Sequence, residues 1–329
     1  MVSVSLPIDG CPVCRAPSPP LAFVKNGYPM HRCAACELVF SAEPPVGAKL
    51  EELYSAEYFT EGGAGYPDYI ADERAHRHQA RAYLKRLVKL GVPAGALLDV
   101  GCAAGFFLDE ARRDGWTVRG CELSAYARAH AKSKLGLEVD QTGFLDPAFA
   151  PPEESFDVIT LFNVLEHIPD PVRVADKLFA LLRPGGHLVV ETWDPRSWFA
   201  RLLGPRWPTY APPTVLYCFT RRTLEHLFRT ERWTLVSYRP AIKWISLDHG
   251  LSLLEYEAEH LPLGRVMSRA LRALRRSFLA SLDVPYCLGD LAVAVLRRNE
   301  SASVRREWNG SSRTNLVDAG RAGEIGPSA

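Results

Sequence analysis

The chain of 329 residues is long enough for one full α/β core and a smaller appended module, because single domains span roughly 100–200 residues. A formal net charge of +1 and 47% hydrophobic residues give no basic excess for a phosphate backbone, so nucleic-acid partners are disfavoured. The N-terminal residues lack a basic segment followed by an apolar core, and no run approaches the ~18 apolar residues of a membrane span. These features predict a cytoplasmic protein without a transmembrane segment.

Four of the eight cysteines lie near the N-terminus in the spacing C-x2-C-x18-C-x2-C: Cys11, Cys14, Cys33 and Cys36. Each C-x-x-C places two sulfurs on one tight turn, and two such turns supply four thiolates at tetrahedral geometry, which suits zinc. Because the protein fills all four positions, we expect a structural zinc in a module over residues 1–45. Disulfides and a vestigial site are the alternatives.

Residues 46–82 read as a linker rich in Pro, Gly and Tyr and the start of a leading helix. The apolar residues of this helix recur at helical spacing: Tyr83, Leu84, Leu87 and Val88. His76 and His78 are two residues apart and so face different sides of the helix, which makes them a poor metal pair. We expect both to be solvated.

Strand and helix signals then alternate. We predict strands at "ALLDV", "TVRGCEL", "FDVITLF" and "HLVVETW". We predict helices at "GFFLDEARRDG", at "AYARAHAKSKLG" with Ser124 as N-cap, and at "DPVRVADKLFALLRPGG" with Asp170 as N-cap and the glycines as the stop. The alternation predicts an α/β fold with a doubly wound, mostly parallel sheet, closed by an antiparallel strand in "YCLGDLAVAVLRR".

The turn after the first of these strands contains Asp99, Gly101 and Gly105, and the second strand ends at Glu122. A dinucleotide fingerprint needs three glycines at fixed spacing, and two of those positions hold other residues. The loop instead suits a ligand without a diphosphate, whose carboxylate meets the helix N-terminus and whose ribose hydroxyls donate to Glu122. S-adenosylmethionine (SAM) has those parts in that order.

This segment resembles the first motif of class I SAM-dependent methyltransferases, and "SFDVITLFNVLEHIPDPVRVADKLFALLRPGGHLVVETW" resembles the later strands and active-site edge of that family. The resemblance implies a Rossmann-like fold with a SAM-binding core over residues 83–240. It implies cofactor-binding roles for Asp99, Gly101 and Gly105 at the methionine end, Glu122 at the ribose, Gly143 and Phe144 near adenine, and Asn163 after the fourth strand. For the glycines and Phe144, ordinary turns and core packing are the alternatives, and for Asp99 the alternative is a core carboxylate with satisfied hydrogen bonds.

Methyl transfer from a sulfonium is an in-line displacement, so the protein mainly positions the acceptor and supplies a base for a hydroxyl or carbon acid. His167 follows the strand "FDVITLF" and is the predicted base, although it can equally shape the pocket floor. Tyr210, Tyr217 and His226 are weaker candidates. The stretches "RCAACELVF" and "LYSAEYF" also resemble the zinc-knuckle front end of bacterial methyltransferases from sugar, polysaccharide and secondary-metabolite pathways.

After Trp193 the sequence is aromatic and rich in proline, which reads as a substrate-side insertion or lid. Residues 241–298 are predicted to hold a lid and the closing strand. Within them, an apolar stripe from Leu263 to Phe278 opposite several arginines predicts a basic amphipathic helix, which either covers the site or lies on a membrane and presents a lipid-linked acceptor. Residues 299–329 are predicted to be disordered.

These patterns predict an enzyme that transfers a methyl group from SAM to a small-molecule acceptor. The acceptor classes we favour are a sugar, a nucleotide-linked sugar, and a natural-product or polysaccharide intermediate. Two alternatives stay open: an RNA methyltransferase that grips its substrate with the zinc module, and a non-catalytic protein with the same fold.

Overall fold

A computed structural model describes residues 10–42, 56–60, 68–258, 264–276 and 282–300. The strands are β1 (Leu21–Lys25), β2 (Tyr28–Arg32), β3 (Val39–Ser41), β4 (Ala96–Val100), β5 (Thr117–Cys121), β6 (Val139–Asp140), β7 (Phe156–Phe162), β8 (Leu182–Trp193), β9 (Tyr217–Cys218), β10 (Trp233–Pro240), β11 (Lys243–Ser246), β12 (Asp283–Tyr286) and β13 (Leu291–Arg298). The helices are α1 (Ala56–Thr60), α2 (Glu73–Lys89), α3 (Phe106–Arg113), α4 (Ala125–Leu135), α5 (Pro171–Leu181), α6 (Trp198–Leu203), α7 (Arg221–Leu227), α8 (Leu247–Ala258) and α9 (Gly264–Arg275). Short 3-10 turns lie at Leu165–His167 and Gly204–Arg206.

The central sheet has the strand order β10-β13-β8-β7-β4-β5-β6. The strands from β8 to β6 pair in parallel, and β13 runs antiparallel between β8 and β10. The predicted doubly wound, mostly parallel sheet and its antiparallel closing strand are therefore confirmed. Chain order reverses between β4 and β7, and ligands of such sheets bind outside the carboxyl ends of the strands at this switch point.

Local sequence signals set most helix ends. The side chains of Ser124 and Asp170 accept backbone N–H groups at the starts of α4 and α5, as predicted. The end of α5 differs from the prediction, because the helix stops at Leu181 and the chain is already extended at Leu182. Pro184 cannot donate to a helical carbonyl and disfavours helix in the residue before it, so the chain leaves the helix before reaching the glycines.

The cysteine-rich segment is packed into the main fold. Its strands β1, β2 and β3 form a sheet whose fourth strand, β9, comes from the segment after β8. Cys11, Leu38 and Phe40 belong to the same buried cluster as Leu98 of β4. The Thr223 hydroxyl of α7 donates to the carbonyl oxygen of Cys36 (2.7 Å). The part of the predicted 1–45 module that the structure describes therefore shares its core with the central sheet.

The aromatic segment after β8 supports this small sheet. The side chains of Trp207, Tyr210 and Tyr217 are buried, and the first two form a cluster with Met30 and Val39 of the cysteine-rich segment. The interpretation of these residues as a lid was wrong. The aromatic spacing could not reveal this, because the strand that they support lies far away in the sequence.

Helices α8 and α9 form a hairpin after β11. Arg275 of α9 donates to Asp248 (2.8 Å) and Glu255 (3.0 Å) of α8. The predicted apolar stripe is open to solvent where the structure describes it, with Val266 69% exposed, while both ends of the stripe, at Leu263 and Phe278, lie outside the described residues. The predicted disordered tail also lies outside them from residue 301 onward. None of the described helices is both long and apolar enough to cross a membrane.

Candidate functional site

The glycine loop after β4 is a tight turn that needs both of its glycines. Gly101 and Gly105 have φ values of +67° and +82°, which favour glycine. A Cβ atom at Gly101 would lie 2.6 Å from a methyl of Val164, and one at Gly105 would lie 2.8 Å from a methyl of Leu137. Packing within the protein therefore explains both glycines, and it brings the start of α3 against the end of β5.

Two carboxylates, those of Glu122 and Asp99, lie next to this loop. Glu122 accepts the N–H groups of Ser124 (2.8 Å) and Ala103 (3.0 Å), which fixes its carboxylate at the end of β5. Asp99 is buried and accepts the hydroxyl of Thr160 (2.6 Å). Burial raises the pKa of Asp99 to about 7, although the Thr160 hydrogen bond opposes the rise. Each carboxylate oxygen of Glu122 keeps a lone pair, so the group can still accept hydroxyls of a ligand.

The two residues predicted near adenine lie in different surroundings. A Cβ atom at Gly143 would meet Leu123 at an ordinary 3.6 Å, so protein packing does not require this glycine. Leu123 follows Glu122 and is 36% exposed, an unusual position for a large apolar side chain beside a buried strand end. Phe144 instead packs in the core against Phe149, with the ammonium of Lys177 5.3 Å from its ring centre.

Helix α2 covers the start of α3 with aromatic contacts. The ring of His76 stacks on Tyr69 (4.0 Å between centroids) and on Phe106 (5.8 Å), so the expectation that His76 is solvated was wrong. Burial, with Lys243 nearby, lowers the pKa of His76 to about 3. Arg77 fastens the same helix to α3 through the carboxylates of Asp109 and Glu110, both at 2.8 Å.

A polar cluster is buried where β7 and β8 end. Asn163 follows β7 and donates through Nδ2 to Oε1 of Glu191 in β8 (2.7 Å). Glu191 is 2% exposed and Glu166 is fully buried. Among the residues that the structure describes, Oδ1 of Asn163, Oε2 of Glu191 and both carboxylate oxygens of Glu166 have no hydrogen-bond partner. Buried acceptors without donors are rare in folded proteins, so this cluster suits a ligand that donates hydrogen bonds.

The environment of the two carboxyls changes their protonation. Burial raises the pKa of Glu191 to about 7 and that of Glu166 to about 8, and the ammonium of Lys243 opposes both shifts. The Thr192 hydroxyl also opposes the shift of Glu166, although the two groups do not meet hydrogen-bond geometry. Both groups can therefore exchange a proton near neutral pH.

His167 lies beside this cluster, in the 3-10 turn after β7. Its Nδ1 donates to the carbonyl oxygen of Thr214 (2.6 Å), which ties the turn to the segment before β9. Burial lowers the pKa of His167, and the carbonyl groups of Thr214 and Asn163 oppose that shift.

The other predicted side chains lie apart from this cluster. Tyr210 and Tyr217 are buried in packing roles, and Nδ1 of His226 donates to the carbonyl oxygen of Arg222 on exposed α7. The sequence analysis did not identify Glu191 as a site residue, although a carboxylate near the end of a predicted buried strand is a recognisable signal of one. The sequence analysis also did not identify Lys243, because this residue lies in β11 and no neighbouring sequence motif indicates a site there.

The four cysteine sulfurs converge as predicted. All four lie within 4.8 Å of one another, and the pairs Cys11–Cys36 and Cys14–Cys33 are each 3.5 Å apart. Tetrahedral zinc with Zn–S bonds of about 2.3 Å places sulfurs about 3.8 Å apart. The arrangement is therefore consistent with a structural zinc that leaves no open coordination position.

A family model described as a methyltransferase domain matches residues 72–238, which include the glycine loop, Glu122 and the β7–β8 cluster. The chain belongs to this methyltransferase family. The match confirms the resemblance to class I SAM-dependent methyltransferases, the enzyme class of the domain, and SAM as its cofactor.

Curated relatives of this methyltransferase include two named ubiquinone biosynthesis O-methyltransferase. That of Histophilus somni (strain 2336) is 34% identical over 125 residues, covering 35% of this chain and 52% of the relative. That of Actinobacillus pleuropneumoniae serotype 5b (strain L20) is 39% identical over 105 residues, covering 29% and 44%. The chain spans about half the length of these relatives.

A search of solved structures matches geranyl diphosphate C-methyltransferase from Streptomyces coelicolor A3(2). The identity is 14% and the TM-score 0.47, with 78% of this chain and all of that chain covered.

We expect Glu122→Ala to weaken SAM binding by about 1–3 kcal/mol, because Glu122 is the acceptor that the sequence predicts for the ribose hydroxyls. Glu138→Ala, which changes an exposed carboxylate on the neighbouring β6 side, is the control and should bind SAM normally. Isothermal titration calorimetry with SAM and S-adenosylhomocysteine measures both. Unchanged affinity in Glu122→Ala would remove this residue from the ribose site.

We expect about one zinc per chain, bound by the four clustered cysteines. Cys33→Ser should lose zinc and lower the thermal midpoint, because the small sheet shares its core with the central sheet. Cys287→Ser is the control, since Cys287 is exposed and lies outside the cluster. Elemental analysis of protein purified without chelator measures the zinc content per chain. Full zinc content in Cys33→Ser would contradict the site.

Proposed function

We propose that this protein transfers a methyl group from SAM to a hydroxyl of a small-molecule acceptor. The observation that carries the proposal is the pair of buried carboxyls, Glu166 and Glu191, at the carboxyl edge of the sheet. Both oxygens of Glu166 and one oxygen of Glu191 have no hydrogen-bond partner among the described residues. They lie at the ends of the strands next to the glycine loop, where a doubly wound sheet binds its ligands.

In this proposal SAM lies along the ends of β4 and β5. The glycine loop and Asp99 surround its methionine part, and Glu122 accepts the two ribose hydroxyls. Adenine lies against the exposed face of Leu123, beside the space at Gly143. Phe144 then supports the adenine site from the core, and Asn163 borders the methyl group.

The acceptor class follows from the hydrogen-bonding demand of the cluster. Three side chains offer unused oxygen acceptors there, and hydroxyl groups are donors that satisfy them without adding charge. The name of the curated relatives, O-methyltransferase, supports oxygen as the methylated atom. A sugar, a nucleotide-linked sugar, or a natural-product or polysaccharide intermediate with neighbouring hydroxyls fits this demand.

The acceptor hydroxyl must lose a proton as the C–O bond forms and the sulfonium leaves as a neutral thioether. A base with a pKa near the working pH is most effective, and Glu191 meets that condition. We propose that Glu191 is the base that accepts this proton. His167, the base predicted from the sequence, is the competing candidate. His167 has one ring nitrogen engaged with a backbone carbonyl, which favours a role in positioning the loop.

One observation favours a lipid-linked acceptor. Val266 and Met267 of α9 are exposed next to the exposed cation Arg269, as expected for a helix that lies on an anionic bilayer. The near-neutral net charge gives no comparable support to an RNA substrate.

If Glu191 is the base, Glu191→Gln should lower turnover of an identified acceptor about 10²–10⁴-fold with nearly normal SAM affinity. The rate of the unmodified protein should rise with pH through about 7, because the base acts deprotonated, and the variant should lose that dependence. His167→Ala is the matched comparison and should lower turnover and cofactor binding together and modestly. A large loss confined to turnover in His167→Ala, with Glu191→Gln near normal, would return the role to His167.

The same variant has a readout that is independent of activity. Burial raises the pKa of Glu191 above its unfolded value, so the stability that the protonated group contributes is lost as pH rises through about 7. Glu191→Gln cannot ionise, so its thermal midpoint should rise relative to that of the unmodified protein between about pH 4.5 and 7, and the difference should stay constant above pH 7.

For a membrane-associated acceptor, the unmodified protein should bind vesicles that contain phosphatidylglycerol and should not bind vesicles of phosphatidylcholine alone. Val266→Glu should weaken this binding, because it puts a charge on the apolar face of α9. Leu202→Glu, at an equally exposed apolar position on α6, is the control. Equal binding by both variants in a flotation assay would rule out α9 as the contact.

A further inference from the structure

A groove of about 500 Å³ lies between the small sheet of the cysteine-rich segment and α6. Strands β1 and β2 form one wall, and the residues after β8 together with α6 form the other. The side chains used in the argument below are Phe23, Arg32, Pro195, Arg196, Arg201 and Tyr210. We call it the arginine groove. It contains none of the residues that we assign to SAM or to the acceptor hydroxyl.

The arginine groove is strongly biased in charge. Arg32, Arg196 and Arg201 line it, and its described lining includes no Asp or Glu. The whole chain carries a net charge of only +1, so three guanidinium groups in one groove are a local excess. This local excess of positive charge attracts an anion.

The three guanidinium groups differ in how far they are already engaged. Arg196 pairs with Glu37 (2.6 Å). Arg32 lies near the hydroxyl of Tyr210 and forms no ion pair with a carboxylate among the residues that the structure describes. Arg201 is exposed and forms no ion pair or hydrogen bond through its side chain within the described ranges. At least two of the three can therefore turn their donors to a ligand.

The rest of the lining is apolar. The rings of Phe23 and Tyr210 contact each other at 4.8 Å, and Pro195 adds a further apolar surface. The volume lies in the range of about 300–1,000 Å³ that is typical of small-molecule sites and is larger than an inorganic ion needs. The groove therefore suits a ligand with an anionic end and an organic body.

From these contacts we propose that the arginine groove binds an organic phosphate, such as a nucleoside diphosphate or a sugar phosphate. The planar fork of an arginine matches two phosphate oxygens at once, and several arginines together suit a diphosphate. The aromatic and proline surfaces take the organic part. This is a binding site in addition to the methyl-transfer site, and it does not depend on the identity of the methyl acceptor.

A neighbouring groove of about 900 Å³ shares Arg196 and gives a useful contrast. Its lining holds five arginines and also four carboxylates, which already balance most of the charge. Three of those arginines pair with carboxylates of the same lining: Arg196 and Arg222 with Glu37, and Arg221 with Glu225. The uncompensated charge lies on the side of Arg32 and Arg201, and the phosphate is assigned to that side.

The test is calorimetry on the full chain without SAM, with uridine diphosphate, pyrophosphate and uridine as probes. We expect both phosphates to bind and uridine to bind at least tenfold more weakly than uridine diphosphate. Arg201→Ala and Arg32→Ala should each weaken the phosphates about tenfold or more, as expected when a charge-assisted hydrogen bond is lost. Arg173→Ala, which changes an exposed side chain of α5 outside the groove, is the control and should not change binding.

Three results would overturn the proposal. The first is no binding of either phosphate at low ionic strength, and the second is an equal loss of binding in Arg173→Ala and Arg201→Ala. The third is binding of phosphatidylglycerol vesicles through Arg32 and Arg201 while soluble phosphates fail to bind, since the ligand would then be a bilayer. Because SAM and turnover play no part in the assay, failure here leaves the methyl-transfer proposal untouched.

Discussion

The parallel pairing of β4 with β5 on one side and β7 on the other is the constraint on which the rest of the structure depends. Parallel strands end at the same edge, so this pairing brings Asp99, Glu122 and Asn163 together although they are distant in sequence. The edge is also where the chain order reverses, and helices leave a crevice there. The glycine loop and the buried polar cluster at the ends of β7 and β8 both follow from that one arrangement.

Burial of carboxyls at this edge gives the site its chemistry. An isolated ionised carboxylate is costly inside a protein, so each group responds by a raised pKa. Glu122 keeps its carboxylate fixed by two backbone N–H groups, whereas Glu166 and Glu191 have less compensation and face Lys243. Burial therefore acts on all three carboxyls, but Glu122 is fixed by backbone N–H groups, whereas Glu166 and Glu191 can exchange a proton near neutral pH.

The cysteine-rich segment is joined to this core by more than a linker. Strand β3 pairs with β9, and the aromatic residues before β9 pack under the small sheet. His167 connects the same region to the turn after β7 through the Thr214 carbonyl. Loss of the four-cysteine cluster would therefore be transmitted to the acceptor side of the site through packed side chains. The arginine groove lies along this same junction.

The sequence by itself determined the alternation of strands and helices, the caps at Ser124 and Asp170, the four-cysteine cluster and the cofactor loop. These are local features, since hydrophobic period, capping chemistry and cysteine spacing act within a few residues or one turn. The family assignment followed because its motifs are contiguous stretches of this kind.

Only the tertiary structure decided which distant side chains meet. Lys243 reaches the cluster of Glu166 and Glu191 because β11 packs on α2, and no local pattern encodes that contact. The aromatic segment after β8 was misread because its partner strand β3 precedes it by well over a hundred residues. His76 is stacked between rings for the same reason. Long-range contacts depend on the packing of whole elements, and sequence periodicity reports only that a face is apolar, not which element covers it.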